Sequence, residues 1–372
     1  MRIVRVSYRV PPEPGGKERH VECLTREQLR RGHEVTLAFR GGSTVPNGAM
    51  VLPLRPTGLS CLLAVKSDVL AFAAEVAGAL RNAGPVDLVH LHGDHVEASV
   101  IGPFCRKLGI PLVLTVHAAL ARRHRRLARM ALGHVGAFIA IGSRTADDLM
   151  DRGADRRRIL VASSGIDLGA ISGSPPPARE PGLIVSVGSL EPMKNHALLI
   201  EAVQALRPAN PGLRLLVVGD GPELGRLRRL AGAGTETGIE FAGQLLRDEV
   251  YRKVRRAEVF VLASRRLDGK GEGVPTAALE ALALGTPVVV SSDALLDPVV
   301  SNRAAYRTFE SGSVDDLVRV LRTVLGDEDL RRRMSTLGAQ AATALDWPVV
   351  AGRFEEWYRV ALNAGHLSGA LR

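Results

Sequence analysis

The sequence predicts an α/β protein built from two doubly wound parallel sheets, because strand-like and helix-like segments alternate in two separate series. The first series begins at the N-terminus, and the second begins after a proline-rich stretch at residues 172–182, SGSPPPAREPG. Such alternation is typical of parallel sheets that carry helices on both faces. The length of 372 residues fits two domains of ordinary size.

The first series contains apolar runs that we interpret as strands, each followed by a loop and a helical stretch. The loop after the first strand is rich in glycine and proline, PPEPGGK, and it leads into a helix over Glu18–Arg31 that Gly32 ends. The predicted strands are Arg2–Tyr8, Glu34–Phe39, Asp87–Leu91, Pro111–Val116 and Ala137–Ile141.

The second series predicts strands over Leu183–Val187, Leu213–Val218, Val259–Leu262 and Pro287–Val290. The three consecutive prolines of the preceding segment make it stiff and non-helical. We therefore place an N-terminal domain at residues 1–171, a linker at 172–182 and a C-terminal domain at 183–348. A last helix, within residues 349–372, is expected to cross back to the first domain. Ligands of doubly wound sheets bind at the carboxyl ends of the strands.

Composition narrows the classes of function. The formal net charge of +10 suits nucleic acid, an anionic membrane surface or phosphate-bearing substrates. The interleaved aromatic side chains expected of a nucleic-acid-binding module are missing. The three cysteines form no CxxC pair, which argues against a disulfide framework or a zinc site. No signal peptide is recognisable, and charges interrupt the apolar stretch at residues 59–80, so we expect a cytoplasmic protein.

Two glutamates eight residues apart give the strongest functional signal. Glu272 lies in a glycine loop, and Glu280 lies in an apolar helical run, Thr276–Leu284, which Pro275 opens and Gly285 ends. The start of a helix favours an anionic ligand such as a diphosphate. A carboxylate accepts hydrogen bonds in pairs, so each glutamate can hold neighbouring hydroxyls of a sugar or a ribose.

The string E-G-x-P-x3-L-E-A-x-A-x-G-x-P-V-V around these glutamates resembles the E-x7-E motif of the retaining GT-B glycosyltransferases of family GT4. The resemblance implies two facing Rossmann-like domains with a cleft between them, an acceptor in the first domain and a nucleotide sugar, expected to be UDP-linked, in the second. It implies that the first glutamate contacts the donor sugar and the second binds the ribose. The donor-binding residues implied here are Glu272, Gly273, Val274, Pro275, Thr276 and Glu280.

A second match, G-S-L-E-P-M-K, follows a predicted strand and resembles the family segment G-R-L-x3-K. Lys194 suits phosphate oxygens and can offset the charge on a departing diphosphate. The alternative interpretation is that Lys194 is an ordinary lysine at the start of a helix. Ser189 stands where the family more often has arginine, so one phosphate contact is weakened, replaced by a hydroxyl or supplied by another arginine.

Two glycine-containing segments complete the expected donor site. Gly219 and Gly221 lie in G-D-G-P-E, which is similar to the family element G-x-G-P-E along the nucleotide. Leu245 ends F-A-G-Q-L, which resembles the family segment whose backbone faces the base. Because those contacts use main-chain groups, the side chains leave the base unspecified.

In the first domain, the loop after the first strand resembles the G-G-x3-H-V opening of GT4 enzymes, with His20 at the histidine position. Glycine permits close approach of the backbone to a diphosphate or an acceptor. The resemblance implies that Gly16 contacts the donor, and that Glu13 and Gly15 border the acceptor.

The run H-L-H-G-D-H, which covers His90, His92, Asp94 and His95, allows two interpretations. One is a metal site, and the other is a set of structural histidines at a strand end, which we favour because retaining GT-B enzymes need no metal. We therefore expect neither metal nor cofactor. His92, Asp94 and Glu97 are expected to border the acceptor.

Thr115-Val116-His117 ends a predicted strand and resembles the family's T-x-H, which faces the reacting centre. The catalytic residues implied are His117, Lys194 and Glu272. The implied hexosyl transfer retains the anomeric configuration by front-face substitution, in which the departing diphosphate takes the acceptor proton.

The sequence alone leaves the chemical identity of the acceptor undecided. Acidic loop residues suit a small hydrophilic molecule, such as an aminocyclitol or amino sugar of an antibiotic. The alternative is a phospholipid or polyprenyl-linked saccharide, which an arginine run would suit. A GT-B sugar epimerase and a basic nucleic-acid-binding module are further alternatives. The arginine run consists of Arg122, Arg123, Arg125, Arg126 and Arg129.

Overall fold

The chain folds into two compact units in the computed structural model, which describes residues 1–13, 15–120, 125–171, 178–232, 234, 237–267 and 271–369. Met1–Gly165 and the C-terminal segment from Trp347 form the first unit, and Ile166–Asp346 form the second. The division precedes the boundary proposed at residue 171. The reason is that Ile166 N donates to Leu345 O at 2.8 Å, which ties the following residues to the second unit. The first part of the proposed linker, residues 172–177, lies outside the described residues.

The sheet of the first unit is parallel throughout. Its strands, numbered along the chain, are β1 (Arg2–Ser7), β2 (Glu34–Ala38), β3 (Met50–Val51), β4 (Leu88–His92), β5 (Leu112–Val116), β6 (Ala137–Ile141) and β7 (Ile159–Ala162). They lie in the order β3-β2-β1-β4-β5-β6-β7. The strands predicted in this half are confirmed to within one residue at each end. Neither β3, which is short and exposed, nor β7 was predicted.

Helices flank this sheet. They are α1 (Gly16–Arg30), α2 (Gly58–Ala64), α3 (Asp68–Leu80), α4 (His95–Leu108), α5 (Arg125–Leu132), α6 (Ser143–Met150) and α14 (Trp347–Gly369). The apolar stretch at residues 59–80 forms α2 and α3, and the side chains of Thr57 and Ser67 cap their N-termini. Among the described residues, no helix combines the length and apolar character needed to cross a membrane.

The C-terminal helix α14 packs against α1 and the sheet of the first unit. Its Phe354 and Tyr358 are completely buried. Arg31 at the end of α1 donates through Nε and Nη2 to the two carboxylate oxygens of Glu355, at 2.8 and 2.9 Å. Such a bidentate ion pair adds geometric specificity to the apolar packing.

The second unit repeats the arrangement with β8 (Leu183–Val187), β9 (Arg214–Val218), β10 (Ile239–Gly243), β11 (Val259–Leu262), β12 (Val288–Ser291) and β13 (Tyr306–Phe309), all parallel and ordered β10-β9-β8-β11-β12-β13. Its helices are α7 (Leu168–Ile171), α8 (His196–Leu206), α9 (Leu224–Ala231), α10 (Arg247–Arg256), α11 (Thr276–Ala283), α12 (Val314–Gly326) and α13 (Glu328–Ala342). The strands predicted here are confirmed to within one residue, whereas β10 and β13 were not predicted.

Each sheet has a point at which the strand order reverses. In the first unit this point lies between β1 and β4, and in the second it lies between β8 and β11. The loops that leave two such neighbouring strands run in opposite directions, which opens a crevice at the carboxyl edge of the sheet. Functional side chains are therefore expected in the loops after β1 and β4, and after β8 and β11.

Candidate functional site

In the second unit, Lys194 and Glu272 meet at the reversal point of the sheet. Lys194 ends a short turn after β8, and Glu272 lies in the loop after β11. Lys194 Nζ donates to Glu272 Oε1, and Ser264 Oγ donates to the same oxygen at 2.8 Å. The side chains of the lysine and the glutamate are 18% and 11% exposed, so the pair is accessible but largely enclosed. Both of these hydrogen bonds fall on Oε1 of the carboxylate, not on Oε2.

Local backbone geometry places Lys194 at this edge. The turn Pro192–Lys194 is followed by Asn195, whose φ of 52° and ψ of 41° lie in the left-handed region that asparagine tolerates better than most residues. The chain then enters α8 directly. Ser264 is completely buried just beyond β11, which fixes the hydroxyl that holds the Glu272 carboxylate.

The two predicted glycines after β9 allow neighbouring loops to touch. Gly219 has a φ of 140°, and a Cβ atom at this position would lie 2.0 Å from the carbonyl oxygen of Gly188. A Cβ at Gly221 would lie 2.7 Å from the carbonyl oxygen of Leu190. Backbone hydrogen bonds tie these loops together, including Gly219 N to Gly243 O at 2.8 Å. The loops after β8, β9 and β10 thus form one continuous backbone surface beside Lys194.

Glu280 belongs to a second group of side chains, formed by α10 and α11. Tyr251 OH donates to Glu280 Oε1 at 2.7 Å, and Arg247 Nε donates to the same phenol oxygen at 2.7 Å. The Arg247 guanidinium also lies over the Tyr251 ring, 5.0 Å from its centroid. Burial and the neighbouring Glu280 charge raise the pKa of Tyr251 to about 12, so the phenol stays protonated and can donate.

The other predicted donor residues lie along the same edge. Ser189 is exposed after β8, Leu245 is half-buried after β10, and Gly273 is half-buried in the Glu272 loop. Val274 and Pro275 are buried and precede α11, with Pro275 at its N-cap and Thr276 as its first residue. The two glutamates of the motif have separate partners. Sequence reasoning missed Ser264, Tyr251 and Arg247, and the only signal was the helical i, i+4 spacing of Arg247 and Tyr251.

In the first unit, three histidines converge at the reversal point of the sheet. His20 lies in α1, His92 ends β4 and His117 follows β5. One ring nitrogen from each lies within 4.8 Å of the other two. His92 Nδ1 and His117 Nε2 are 3.0 Å apart, and His20 Nδ1 lies 2.8 Å from Ser164 Oγ. His20 and His92 are buried, whereas His117 is half-buried directly after the end of β5.

These imidazoles are neutral at physiological pH. Burial, with a smaller contribution from the charge of Arg5, lowers the pKa of His20 to about 3. Burial also lowers the pKa values of His92 and His117 well below the usual 6.5, and the neighbouring histidines and Lys17 add to the shift. A neutral imidazole can accept a proton or a hydrogen bond at one nitrogen and donate at the other.

A buried chain of hydrogen bonds supports the strand ends behind this cluster. Gln28 Nε2 donates to Tyr358 OH at 3.2 Å, so the phenol proton is directed to His90 Nδ1, 2.7 Å away. His90 Nε2 then donates to Thr115 Oγ1 at 2.7 Å. Both nitrogens of His90 are occupied, which assigns this histidine a structural role. The chain ends at Thr115, two residues before His117.

Two of the remaining acceptor candidates lie at the N-terminus of a helix. Asp94 caps α4 by accepting from Val96 N at 2.6 Å, and Glu97 Oε2 accepts from Asp94 N at 3.1 Å. Burial, together with the Asp94 charge, raises the pKa of Glu97 to about 7. The structure thus gives both carboxylates a capping role, and of the two it leaves Asp94 the more exposed.

At the other helix start, Gly15 is the N-cap of α1, and a Cβ atom there would overlap the Glu18 carboxylate, 2.0 Å from Oε2. Gly16 opens α1, is exposed and has open space around the position of a Cβ atom. Glu13 is half-buried. Of the arginine run, Arg125, Arg126 and Arg129 are exposed on α5, whereas Arg122 and Arg123 lie outside the described residues.

Comparison with known proteins identifies families for both halves of the chain. Residues 14–170 match the model of "Glycosyltransferase Family 4", and residues 170–341 match that of "Glycosyl transferases group 1". A glycogen synthase of Mycobacterium tuberculosis is 28% identical, over 97% of this chain and 95% of its own. A phosphatidyl-myo-inositol mannosyltransferase of Mycobacterium leprae is 26% identical over 95% of both chains. A 2-deoxystreptamine glucosyltransferase of Streptomyces kanamyceticus is 26% identical over 74% of this chain and 78% of its own.

Solved structures share the fold. The Anabaena protein HepE, determined in complex with UDP, superposes with a TM-score of 0.72 at 17% identity and covers 96% of this chain and 99% of its own. The sucrose-phosphate synthase of Thermosynechococcus elongatus gives a TM-score of 0.74 at 18% identity, over 98% of this chain and 99% of its own.

Proposed function

We propose, from the premise that this chain belongs to the GT4-type glycosyltransferases with the GT-B fold, that it transfers a hexosyl or hexosaminyl group from a UDP-sugar to a small hydrophilic acceptor. The observation that carries the proposal is the pair of carboxylate groups beside the reversal point of the second sheet. There, Glu272 is held by Lys194 and Ser264, and Glu280 by Tyr251. Solved structures of this fold contain UDP or UDP-glucose, which supports UDP as the nucleotide.

The two carboxylates have different roles in this proposal. Glu280 accepts the hydroxyl hydrogens of the ribose, and Tyr251 fixes the orientation of its carboxylate. Glu272 holds hydroxyls of the donor sugar with Oε2. Lys194 exchanges its contact with Glu272 for the diphosphate oxygens when the donor binds, since a lysine ammonium can turn between two anionic partners. The backbone around Gly219 and Gly221 lies along the nucleotide.

The transfer is proposed to retain the anomeric configuration without a metal ion. As the bond from sugar to diphosphate breaks, negative charge accumulates on the leaving oxygen, and Lys194 stabilises that charge. The acceptor hydroxyl forms its bond to the anomeric carbon on the same face, and its proton passes to the departing diphosphate. His117, which is neutral and half-buried directly after β5, positions the reacting hydroxyl.

The acceptor is proposed to be an aminocyclitol or amino sugar. The support is the similarity to a 2-deoxystreptamine glucosyltransferase and the partly exposed acidic residues Glu13 and Asp94 in the first unit. A second candidate is an inositol-containing phospholipid, which the similarity to a phosphatidyl-myo-inositol mannosyltransferase and the exposed arginines of α5 favour.

The test is a two-stage screen on the full chain. Thermal stabilisation by UDP, GDP, ADP and their glucose, N-acetylglucosamine and mannose conjugates identifies the donor, because a ligand that binds only the folded state raises the unfolding temperature. We expect UDP conjugates to stabilise most. The preferred donor is then incubated with 2-deoxystreptamine and, separately, with vesicles that contain phosphatidylinositol, in excess chelator. Product from the soluble amine supports the proposal, and product from the vesicles alone replaces it with the lipid alternative.

A further inference from the structure

The three histidines of the first unit form a cluster that the transfer reaction does not fully use. They come from three elements that the topology brings together, since β4 lies between β1 and β5 and His20 follows β1. The ring centroids of His20 and His117 are 4.8 Å apart, and those of His92 and His117 are 5.3 Å apart. Sequence reasoning considered a metal at His90, His92, Asp94 and His95, but the structure assembles a different set.

Two nitrogens of this cluster have no hydrogen-bond partner among the described residues. They are His20 Nε2 and His92 Nε2, in side chains that are 1% and 0% exposed. Buried polar atoms are almost always paired, so two unpaired ring nitrogens beside a third imidazole are available to a ligand. The second nitrogen of each ring contacts Ser164 or His117. Such contacts hold an imidazole in the orientation that a ligand needs.

We propose that His20, His92 and His117 bind a divalent transition-metal ion of the Zn²⁺ or Co²⁺ class, with a fourth coordination position left open. Imidazole suits these ions, and three histidines with one open position form a known type of zinc site. Nitrogens about 2.0–2.1 Å from a tetrahedral zinc ion are roughly 3.3 Å apart. One ring nitrogen of each histidine lies within 4.8 Å of the other two, so binding requires a modest side-chain rotation.

The surrounding charges lower the affinity of this site for a metal ion. Arg5 is completely buried near the cluster and Lys17 lies near His117, so both oppose a bound cation. The histidines supply no negative charge to offset that repulsion. We therefore expect affinity weaker than that of a structural zinc site and a reversibly bound ion.

The metal would inhibit transfer. Under the proposed function, His117 positions the acceptor hydroxyl with a neutral imidazole, and coordination removes the nitrogen it would use. Zn²⁺ should lower the rate, and a chelator should restore it without a residual requirement for metal. This consequence rests on the proposed function, whereas metal binding itself does not.

The direct test is a titration of the full chain, without a histidine tag, with Co²⁺ followed by visible absorption, and with Zn²⁺ followed by calorimetry. One equivalent of Co²⁺ should bind and produce the intense absorption of a tetrahedral site, and Zn²⁺ should displace it. His20→Asn and His92→Asn should each weaken binding at least about tenfold. His134→Asn is the matched control, because His134 belongs to the same unit and lies outside the cluster. Circular dichroism checks that each variant is folded.

This experiment tests the metal site independently of the proposed glycosyl transfer, because no nucleotide sugar is present. If the unaltered chain binds no stoichiometric Co²⁺ at submillimolar concentration, the metal site is rejected whatever the variants do. Binding that persists in folded His20→Asn and His92→Asn would place the metal elsewhere and also reject it. Loss of binding in those variants and its retention in His134→Asn would establish the site, even if no transferase activity were found.

Discussion

At the scale of single residues, the candidate donor site depends on how its two carboxylates are held. Glu272 is fixed by a lysine and a buried serine, and Glu280 by a tyrosine that an arginine orients. The glutamates and Lys194 could be predicted from the sequence, because their spacing and neighbours are distinctive. The side chains that hold these glutamates could not be predicted, because Tyr251 lies in an ordinary helix and Ser264 at an ordinary strand end. The roles of Tyr251 and Ser264 follow only from side-chain geometry.

The first prediction concerns the hydrogen bond from Tyr251. Tyr251→Phe keeps the ring under Arg247 but removes the hydroxyl that orients Glu280, so UDP should bind about five- to tenfold more weakly, the equivalent of one hydrogen bond. Isothermal titration calorimetry with UDP measures the change. Tyr306→Phe is a matched control, because the Tyr306 hydroxyl is buried in the same unit and has no partner among the described residues. Equal losses in the two variants would contradict the positioning role.

At the scale of secondary-structure elements, the strands were predicted closely and the helix starts less so. A buried parallel strand is a continuous apolar run, so its ends show in the sequence. A helix start depends on capping contacts that several polar residues could make. Asp94 and Glu97 illustrate this, because the structure places them in the capping box of α4, a role that sequence reasoning did not assign.

The second prediction follows from that capping box. The pKa of Glu97 is about 7 in the folded chain and near its usual value of 4.5 when unfolded, chiefly because the carboxyl is buried. Between these pH values the folded state holds the proton and the unfolded state does not. The contribution of Glu97 to the free energy of unfolding therefore falls as pH rises from 4.5 through 7, by about 1 kcal/mol per pH unit.

Chemical denaturation between pH 4.5 and 8 tests whether the Glu97 contribution to the free energy of unfolding falls as pH rises. Glu97→Gln stays neutral and still accepts from Asp94 N, so it should gain stability relative to the unaltered chain as pH rises. Glu249→Gln changes the corresponding capping glutamate of α10 at a solvent-exposed helix start and serves as the control. A difference between the unaltered chain and Glu97→Gln that stays constant over this range would refute the buried-proton explanation.

At the scale of the whole molecule, the sequence predicted two doubly wound units and ligand binding at the carboxyl ends of their strands. It did not predict the boundary after Gly165, because pairing of Ile166 with the chain just before Trp347 is a long-range contact. For the same reason it missed the cluster of His20, His92 and His117. These residues lie up to 97 positions apart and meet only through strand order.

The third prediction concerns the return of the C-terminal helix to the first unit. Tyr358→Phe removes the donor to His90 Nδ1 and leaves that buried nitrogen unpaired, which should destabilise the first unit by about 1–3 kcal/mol. Trp357→Phe is the comparison, because its indole makes a longer bond of 3.3 Å to Arg158 O at a half-buried position. Urea unfolding measures both. A smaller loss in Tyr358→Phe than in Trp357→Phe would show that the buried chain of hydrogen bonds does not stabilise the unit.

The central claim, that the second unit binds the nucleotide of a sugar donor through Glu280, is tested most directly by calorimetric titration of Glu280→Ala with UDP. Charge-assisted hydrogen bonds to the ribose are worth about 1.5–3 kcal/mol, so we predict that the affinity falls about 10- to 100-fold. Glu272→Ala, which removes the carboxylate assigned to the sugar, should bind UDP almost normally. Unchanged UDP affinity in folded Glu280→Ala would contradict the account.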